Sequence, residues 1–187
     1  IEAVAKAAEV PERGRDLVRS LAERIESVRR RSLGVTRRPC VALVEWIDPP
    51  FSSGHWGPEL VRLAGGVEGL GREGEPSRTL DWSELVDWQP EVVFLACCGF
   101  SVERTLGELP SLQRRPGYAE LPAVRSGRVF VADGRRYFSR PGPHLVDSLE
   151  QLAHALHPDR HPRPAGDPTL LLLPPPSSRE PLSRGAT

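Results

Sequence analysis

Residues 41–66 read VALVEWIDPPFSSGHWGPELVRLAGG. The first residues of this stretch form an uninterrupted apolar run, which is typical of a strand covered on both faces. Asp48 and two prolines end that strand, and a Ser/Gly-rich loop follows that carries Phe51, His55 and Trp56. Pro58 suits the first turn of a helix, and the glycine pair at 65–66 ends it. We therefore predict a strand, an aromatic loop and a helix in succession, a common way to build a ligand-binding edge.

The same order of strand and helix continues along the chain. An apolar run at residues 92–96 predicts a second buried strand, and residues 128–132, apolar after Arg128, predict a third. Further helices are predicted at residues 81–88, 101–110 and 144–156. Short buried strands joined by helices form a mostly parallel sheet with helices on both faces. The predicted fold class is therefore α/β, one Rossmann-like lobe preceded by a long helix.

A long amphipathic helix is predicted before the lobe. Its apolar residues recur at steps of three and four, at Leu17, Val18, Leu21, Ile25 and Val28. From residue 11 to residue 31 such a helix spans about 30 Å, the width of a small domain. Composition then divides the chain into residues 1–10 (the end of an earlier helix), 11–34 (the long helix), 35–157 (the α/β lobe) and 158–187 (a Pro-rich tail predicted to be disordered).

The composition argues against several classes of function. The chain has 25 basic and 25 acidic residues, so its net charge of zero does not predict a nucleic-acid partner. It shows no apolar run long enough for a transmembrane helix and no signal-peptide pattern. The three cysteines, Cys40, Cys97 and Cys98, have neither disulfide nor metal-ligand spacing. We therefore expect buried thiols, no metal site and no resident cofactor.

Aromatic residues follow each of the three predicted strands. Ligands of open parallel sheets bind outside the carboxyl ends of the strands. At those ends the sequence places Phe51, His55, Trp56, Phe100, Tyr137 and Phe138. We predict that these six residues contact a ligand in a concave, partly apolar site.

Three strings carry a family resemblance. They are EWIDPPFSSGHWGPELVRLAGG at 45–66, DWSELVDWQPEVVFLACCG at 81–99, and RSGRVFVADGRRYFSRPGPHLVDSLEQLAHALHP at 125–158. Together they resemble the C-terminal lobe of the helical-backbone (class III) substrate-binding proteins, which serve ABC importers of vitamin B12, ferric siderophores and haem. The resemblance is strongest to the cobalamin-binding branch and covers about residues 11–157.

The resemblance implies a two-lobed architecture with ligand held between the lobes. The helix at 11–34 would be the rigid backbone helix, and residues 1–10 would be the remnant of a missing N-terminal lobe. The ligand would be cobalamin or a haem-like chelate, and the partner an ABC permease. Glu84 matches the family's permease-docking glutamate, whereas Arg78 replaces a tryptophan that packs on corrin. The resemblance also implies an extracytoplasmic location, and we expect a monomer.

Two alternatives remain from the sequence. The chain is either a transport module or an orphan, non-catalytic interaction domain that kept the fold and lost the ligand. An enzyme is the third reading, which we do not expect, because no phosphate loop, nucleophile elbow or HExxH motif is present. Cys98 with His55 from a neighbouring loop is the one nucleophile–base arrangement to consider.

Overall fold

A computed structural model describes residues 1–164 and 170–174 of the chain. These described residues form seven helices, in chain order α1 (Glu2–Ala7), α2 (Pro11–Leu33), α3 (Gly57–Leu63), α4 (Trp82–Trp88), α5 (Val102–Gln113), α6 (Pro122–Arg125) and α7 (His144–Leu156). The same part of the chain contains six strands: β1 (Cys40–Trp46), β2 (Phe51–Ser52), β3 (Val67–Glu68), β4 (Val92–Leu95), β5 (Val129–Val131) and β6 (Leu171–Leu173). No helix in the described part of the chain is both long and apolar enough to cross a membrane.

One mixed sheet organises the lobe, with the order β2-β1-β4-β5-β6. The central strands β1, β4 and β5 are mutually parallel. The short strands β2 and β3 share the outer edge of β1, β2 antiparallel near its end and β3 parallel near its start. The predicted α/β class with a mostly parallel sheet is confirmed.

The core lies on both faces of the sheet. Along β1, Val41 and Leu43 belong to one buried cluster, and Ala42 and Val44 belong to the other. Because successive side chains of a strand point to opposite faces, a strand covered on both sides is apolar at every position. This explains the continuous run that opens the stretch 41–66.

Helix α2 packs on the lobe through its C-terminal half. Val28 is buried in the core there, and the guanidinium of Arg24 donates to Asp147 at 2.5 Å and to Glu150 at 2.9 and 2.7 Å. With 23 residues α2 is about 34 Å long, as the periodicity predicts. Its role as the backbone helix of a two-lobed protein stays a prediction.

The structure corrects the prediction of a disordered tail over 158–187. Residues 158–164 follow α7 closely, and the buried ring of His161 is 3.2 Å from the Oγ of Ser32. Further on, β6 pairs antiparallel with the free edge of β5, and Leu170 is buried in the core. An unpaired strand edge offers backbone donors and acceptors, which this leucine run satisfies. The rest of the predicted tail, 165–169 and 175–187, lies outside the described residues.

Two boundaries also differ from the sequence prediction. Helix α5 continues through Pro110 to Gln113, since Leu109 and Leu112 keep its apolar face on the core. Residues 51–52 form β2 instead of loop, because Ser52 pairs with Val44 across the edge of β1.

Candidate ligand-binding site

Two adjoining concavities open at the carboxyl ends of β1 and β4. The first has a volume of about 390 Å³ and is lined by Glu45, Trp46, Phe51 and Cys98. The second, of about 260 Å³, is lined by Glu45, His55, Trp56, Ser77, Ala96, Cys98, Phe138 and Ser139. Because both are lined by Glu45 and Cys98, we treat them as one candidate site with an apolar half and a polar half.

Two half-buried aromatic side chains form the apolar half. Trp46 and Phe51 are register partners across the β1–β2 pair. The ring of Trp46 lies 4.6 Å from that of buried Phe100, centroid to centroid, and its indole N–H donates to the Asp48 carbonyl at 3.1 Å. Phe100 thus supports the tryptophan from behind, so the wall is fixed before any ligand arrives.

The loop that carries His55 is held against a neighbouring loop. The backbone N–H of His55 donates to the Glu75 carbonyl at 2.6 Å, and Gly74 N–H donates to the His55 carbonyl at 2.8 Å. A Cβ on Gly54 would lie 2.5 Å from the carbonyl carbon of Pro76 and closer still to the backbone N of Ser77, so only glycine allows this approach. The exposed ring of His55 is therefore presented from an ordered loop.

Trp56 connects this loop to the one after β5. Its indole N–H donates to the carbonyl of Phe138 at 3.0 Å. Its ring centroid is 5.7 Å from that of His55. The half-buried Trp56 side chain packs against the core and also lines the polar concavity.

Glu45 lines both concavities. Burial raises its pKa, and the Ser77 hydroxyl, which donates to it at 2.6 Å, acts in the opposite direction. Glu45 can therefore offer an acceptor when ionised or a donor when protonated to a ligand's polar edge.

Cys98 is the exposed member of an adjacent cysteine pair. Its N–H donates to the Glu45 carbonyl at 2.9 Å, and the Ser139 hydroxyl oxygen accepts from the N–H of Gly99 at 3.3 Å. Cys97 faces the core, where burial raises its pKa to about 12. Only Cys98 of this pair lines the site.

Of the six residues predicted to contact ligand, four line the concavities: Phe51, His55, Trp56 and Phe138. Phe100 and Tyr137 do not line them. The idea that three loops present aromatic rings needs correction, because Phe100, Tyr137 and Phe138 are at most 5% exposed. Phe100 lies under Trp46, and Phe138 packs on Phe94 at 5.2 Å between ring centroids. Their rings close the end of the core.

Glu84, the predicted docking residue, is engaged within its own chain. Its carboxylate accepts from the Arg78 guanidinium at 3.1 and 2.6 Å and from the N–H of Asp81 at 2.9 Å. The Arg78 bonds first, and the Asp81 bond second, lower the pKa of Glu84 to about 2. Arg78, at the position where the resemblance implies a tryptophan, is thus the partner of the predicted docking glutamate.

Sequence reasoning missed Glu45, Trp46, Ser77 and Ser139. It expected Cys98 to be a buried thiol, which is wrong because Cys98 is exposed, and otherwise considered it only as a nucleophile. A charged residue after a continuous apolar strand was the available indication for Glu45, because strand ends in this fold border ligands. Ser77 and Ser139 belong to polar loops whose path the sequence does not reveal. Across residues 1–164 and 170–174, no group of three or more His, Cys, Asp or Glu residues is arranged to hold a metal ion.

The sequence profile of the periplasmic binding proteins matches residues 1–135. Since that match covers well over half of the chain, the chain belongs to the periplasmic binding protein family. No curated protein matches the sequence.

Solved structures with the same fold include three proteins of this class. The haem-binding protein RhuT from Roseiflexus sp. RS-1 has a TM-score of 0.69 and 23% identity, over 86% of this chain and 61% of that one. The vitamin B12-binding protein BtuF of Vibrio cholerae has a TM-score of 0.65 and 22% identity, over 83% of this chain and 58% of that one. FepB from Veillonella parvula has a TM-score of 0.69 and 18% identity, over 86% of this chain and 51% of that one. The chain thus spans between about half and three fifths of their length.

Proposed function

We propose that this chain is a non-catalytic solute-binding module that captures a flat metal chelate, cobalamin or a related tetrapyrrole, and presents it to an ABC importer. One observation carries the proposal. At the carboxyl edge of the sheet, an apolar concavity walled by Trp46 and Phe51 adjoins a polar one that offers Glu45, His55 and Ser77.

The two halves suit the two surfaces of such a ligand. A corrinoid or haem has a broad, largely apolar face and polar groups at its edge. Trp46 and Phe51 offer rigid contact area at little cost in conformational entropy, because aromatic rings have few rotatable bonds. Glu45, Ser77 and His55 supply hydrogen-bonding groups where the polar edge would lie, and we assign His55 this role.

The site offers one surface, so the affinity of this chain should be modest. Relatives of known structure are longer, and the family resemblance implies that a second lobe covers the other face of the ligand. Micromolar binding corresponds to about −8 kcal/mol and nanomolar binding to about −12 kcal/mol. We expect dissociation constants in the micromolar range, and a nanomolar value would contradict the one-sided site.

The proposal is tested by titrating cyanocobalamin and hemin into the chain and following tryptophan fluorescence with correction for absorbance. Saturable quenching by at least one of them is expected. Phe51→Ala should weaken binding about tenfold or more, since a well-placed aromatic anchor contributes about 2 kcal/mol. Leu33→Ala removes an exposed apolar side chain at the far end of α2 and should leave binding unchanged. Absence of quenching by both ligands at high micromolar concentration would refute the proposal.

A second candidate, an interaction domain without a transport partner, is favoured by one contact. The carboxylate of Glu84 is held by Arg78 and is not free to meet a permease arginine unless that pair opens. The gene neighbourhood separates the two candidates. Adjacent genes for a permease and an ATPase support transport, and their absence supports the interaction domain.

A further inference from the structure

A third concavity lies where α2, α7 and the segment after α7 meet. Its volume is about 390 Å³, and its walls are Arg24, Ser27, Val28 and Arg31 of α2, Glu150 of α7, and residues 161–164. We call it the α2 pocket. None of these residues lines the candidate ligand site, so the proposed function leaves the pocket without a role.

The four α2 residues of the pocket form one stripe of the helix. They are separated by steps of three, one and three positions, which places their side chains above one another on the same face. Val28 is buried in the core at this stripe. The helix thereby presents two guanidinium groups and one hydroxyl group to a single pocket.

The segment after α7 forms the opposite wall and is held in place by hydrogen bonds. The buried ring of His161 is 3.2 Å from the Oγ of Ser32, and Nδ1 of His154 donates to the His161 carbonyl at 2.9 Å. Arg163 uses one N–H group to donate to the carbonyl of Leu170 at 2.8 Å. The wall is therefore ordered before any ligand binds.

The α2 pocket carries more positive charge than its carboxylates neutralise. Glu150 and Asp147 share the guanidinium of Arg24. Within residues 1–164 and 170–174, Arg31 and Arg163 have no acidic partner. Two guanidinium groups without a counter-ion, facing one concavity, favour an anionic ligand.

Two further observations specify that ligand. The pKa of His161 is lowered to about 4, first by burial and then by Arg31 and other nearby cationic groups, which reflects the positive potential at this wall. The hydroxyl of half-buried Ser27 has no hydrogen-bond partner in the described part of the chain. Guanidinium forks combined with a hydroxyl donor suit the oxygen atoms of a phosphate group.

We propose that the α2 pocket binds a phosphate dianion, free or as the terminal group of a larger molecule, between Arg31 and Arg163 with the Ser27 hydroxyl as a third donor. The inference goes beyond the proposed function and does not depend on it. Bound phosphate would connect α2, which carries Ser27 and Arg31, to the segment after α7, which carries Arg163. Binding to the folded chain alone would stabilise it against unfolding.

The test uses the full chain and three probes that share a terminal phosphate. Inorganic phosphate and glycerol 3-phosphate are titrated by calorimetry, and phosphatidylcholine vesicles with and without phosphatidic acid are tested by co-sedimentation, all at physiological salt to screen unspecific attraction. The variants are Arg31→Gln, Arg163→Gln and Arg13→Gln. Arg13 is the matched control, because it is an exposed arginine of α2 outside the pocket.

Wild type and Arg13→Gln should bind at least one probe equally well, and a soluble probe that binds should raise the melting temperature. Arg31→Gln and Arg163→Gln should each weaken binding about tenfold or more, because each removes charge-assisted hydrogen bonds. Binding of the soluble phosphates would identify a dissolved ligand. Binding only to vesicles with phosphatidic acid would identify a lipid headgroup, and either result supports the phosphate site.

Three results would overturn the inference: no probe binds, Arg13→Gln weakens binding as much as Arg31→Gln does, or either pocket variant keeps the wild-type affinity. Arg31 makes no hydrogen bond within the described residues, so Arg31→Gln should melt like wild type without phosphate, and its loss of binding is not a loss of fold. Failure here leaves the proposed function untouched, since the cyanocobalamin and hemin titrations report on a different site.

Discussion

The guanidinium of Arg78 holds the carboxylate of Glu84 with two hydrogen bonds, at 3.1 and 2.6 Å. Both side chains are partly exposed. Arg78 lies before α4, and Glu84 lies in the first turn of α4. The pair changes how the predicted docking surface is understood. A glutamate expected to meet an arginine of another protein already has one from its own chain, so docking through Glu84 would require exchange of partners.

The first prediction concerns this pair. Arg78→Gln should raise the pKa of Glu84 from about 2 towards its ordinary value of roughly 4.3, because the largest cause of the lowered pKa is removed. Since the folded-state pKa is lowered, ionised Glu84 stabilises the folded chain above roughly pH 4.3 and that contribution is lost as the pH falls to about 2. Carboxyl ¹³C titration by NMR measures the change. Arg72→Gln, which removes another exposed partner of a glutamate, is the control, and an unchanged Glu84 titration in Arg78→Gln would contradict the assignment.

Glu68 should make stability depend on pH near neutrality. Burial raises the pKa of its carboxyl group to about 7, although the hydrogen bonds that it accepts from the N–H groups of Gly71 and Leu70 act to lower it. Because the folded-state pKa is raised, the associated stability is fully present below roughly pH 4.3 and is lost as the pH rises through about 7. The free energy of unfolding of Glu68→Gln should match that of wild type at pH 4 and exceed it at pH 8 by on the order of 3 to 4 kcal/mol.

Urea unfolding at a series of pH values tests this. Glu120→Gln, at an exposed position away from the site, should follow the wild-type profile throughout. Parallel profiles for wild type and Glu68→Gln would show that the carboxyl group is not buried as described.

The loop that presents His55 should depend on Gly54. In Gly54→Ala the new methyl group would overlap backbone atoms of the neighbouring loop at Pro76 and Ser77, so we expect a loss of about 1–3 kcal/mol in the free energy of unfolding. Gly107→Ala is the matched control. Gly107 lies in α5, and a methyl group added there would have nothing within 4 Å, so the same substitution should stabilise by about 0.5–1 kcal/mol. Equal effects of the two substitutions would contradict the close approach.

The segment that follows α7 should contribute to stability. Leu170 is 5% exposed and packs in the core, so Leu170→Ala should cost about 2 kcal/mol or more. Leu172, in β6, is 57% exposed, and Leu172→Ala should change stability by less than about 0.5 kcal/mol. Thermal or urea unfolding measures both. If neither Leu170→Ala nor Leu172→Ala changes the free energy of unfolding, the segment is not packed as described and the prediction of a disordered segment stands.

The sequence predicts the scaffold well because the scaffold depends on periodicity. Helix α7 has the predicted bounds, since leucines at regular helical spacing and the preceding proline define it. The three parallel strands follow from uninterrupted apolar runs that only a sheet covered on both faces accommodates.

The site is predicted less well, for a physical reason. An aromatic residue after a strand can turn towards solvent or into the core, and local sequence does not distinguish the two. Phe51 and Trp56 reach the concavities, whereas Phe100 and Tyr137 complete the core. Strand β6 was missed because its leucine run forms a strand only against the free edge of β5, a contact made by chain distant in sequence.

The proposed ligand, a planar chelate, would lie across the two concavities at the ends of β1 and β4. The most direct measurement is a ¹H–¹⁵N NMR titration of the chain with cyanocobalamin. The largest shifts are expected at the indole N–H groups of Trp46 and Trp56 and at the backbone of Cys98 and Gly99, with the indole of Trp82, on α4, unchanged. Shifts concentrated at Trp82 or along α2, or no shifts at ligand concentrations well above micromolar, would contradict the claim.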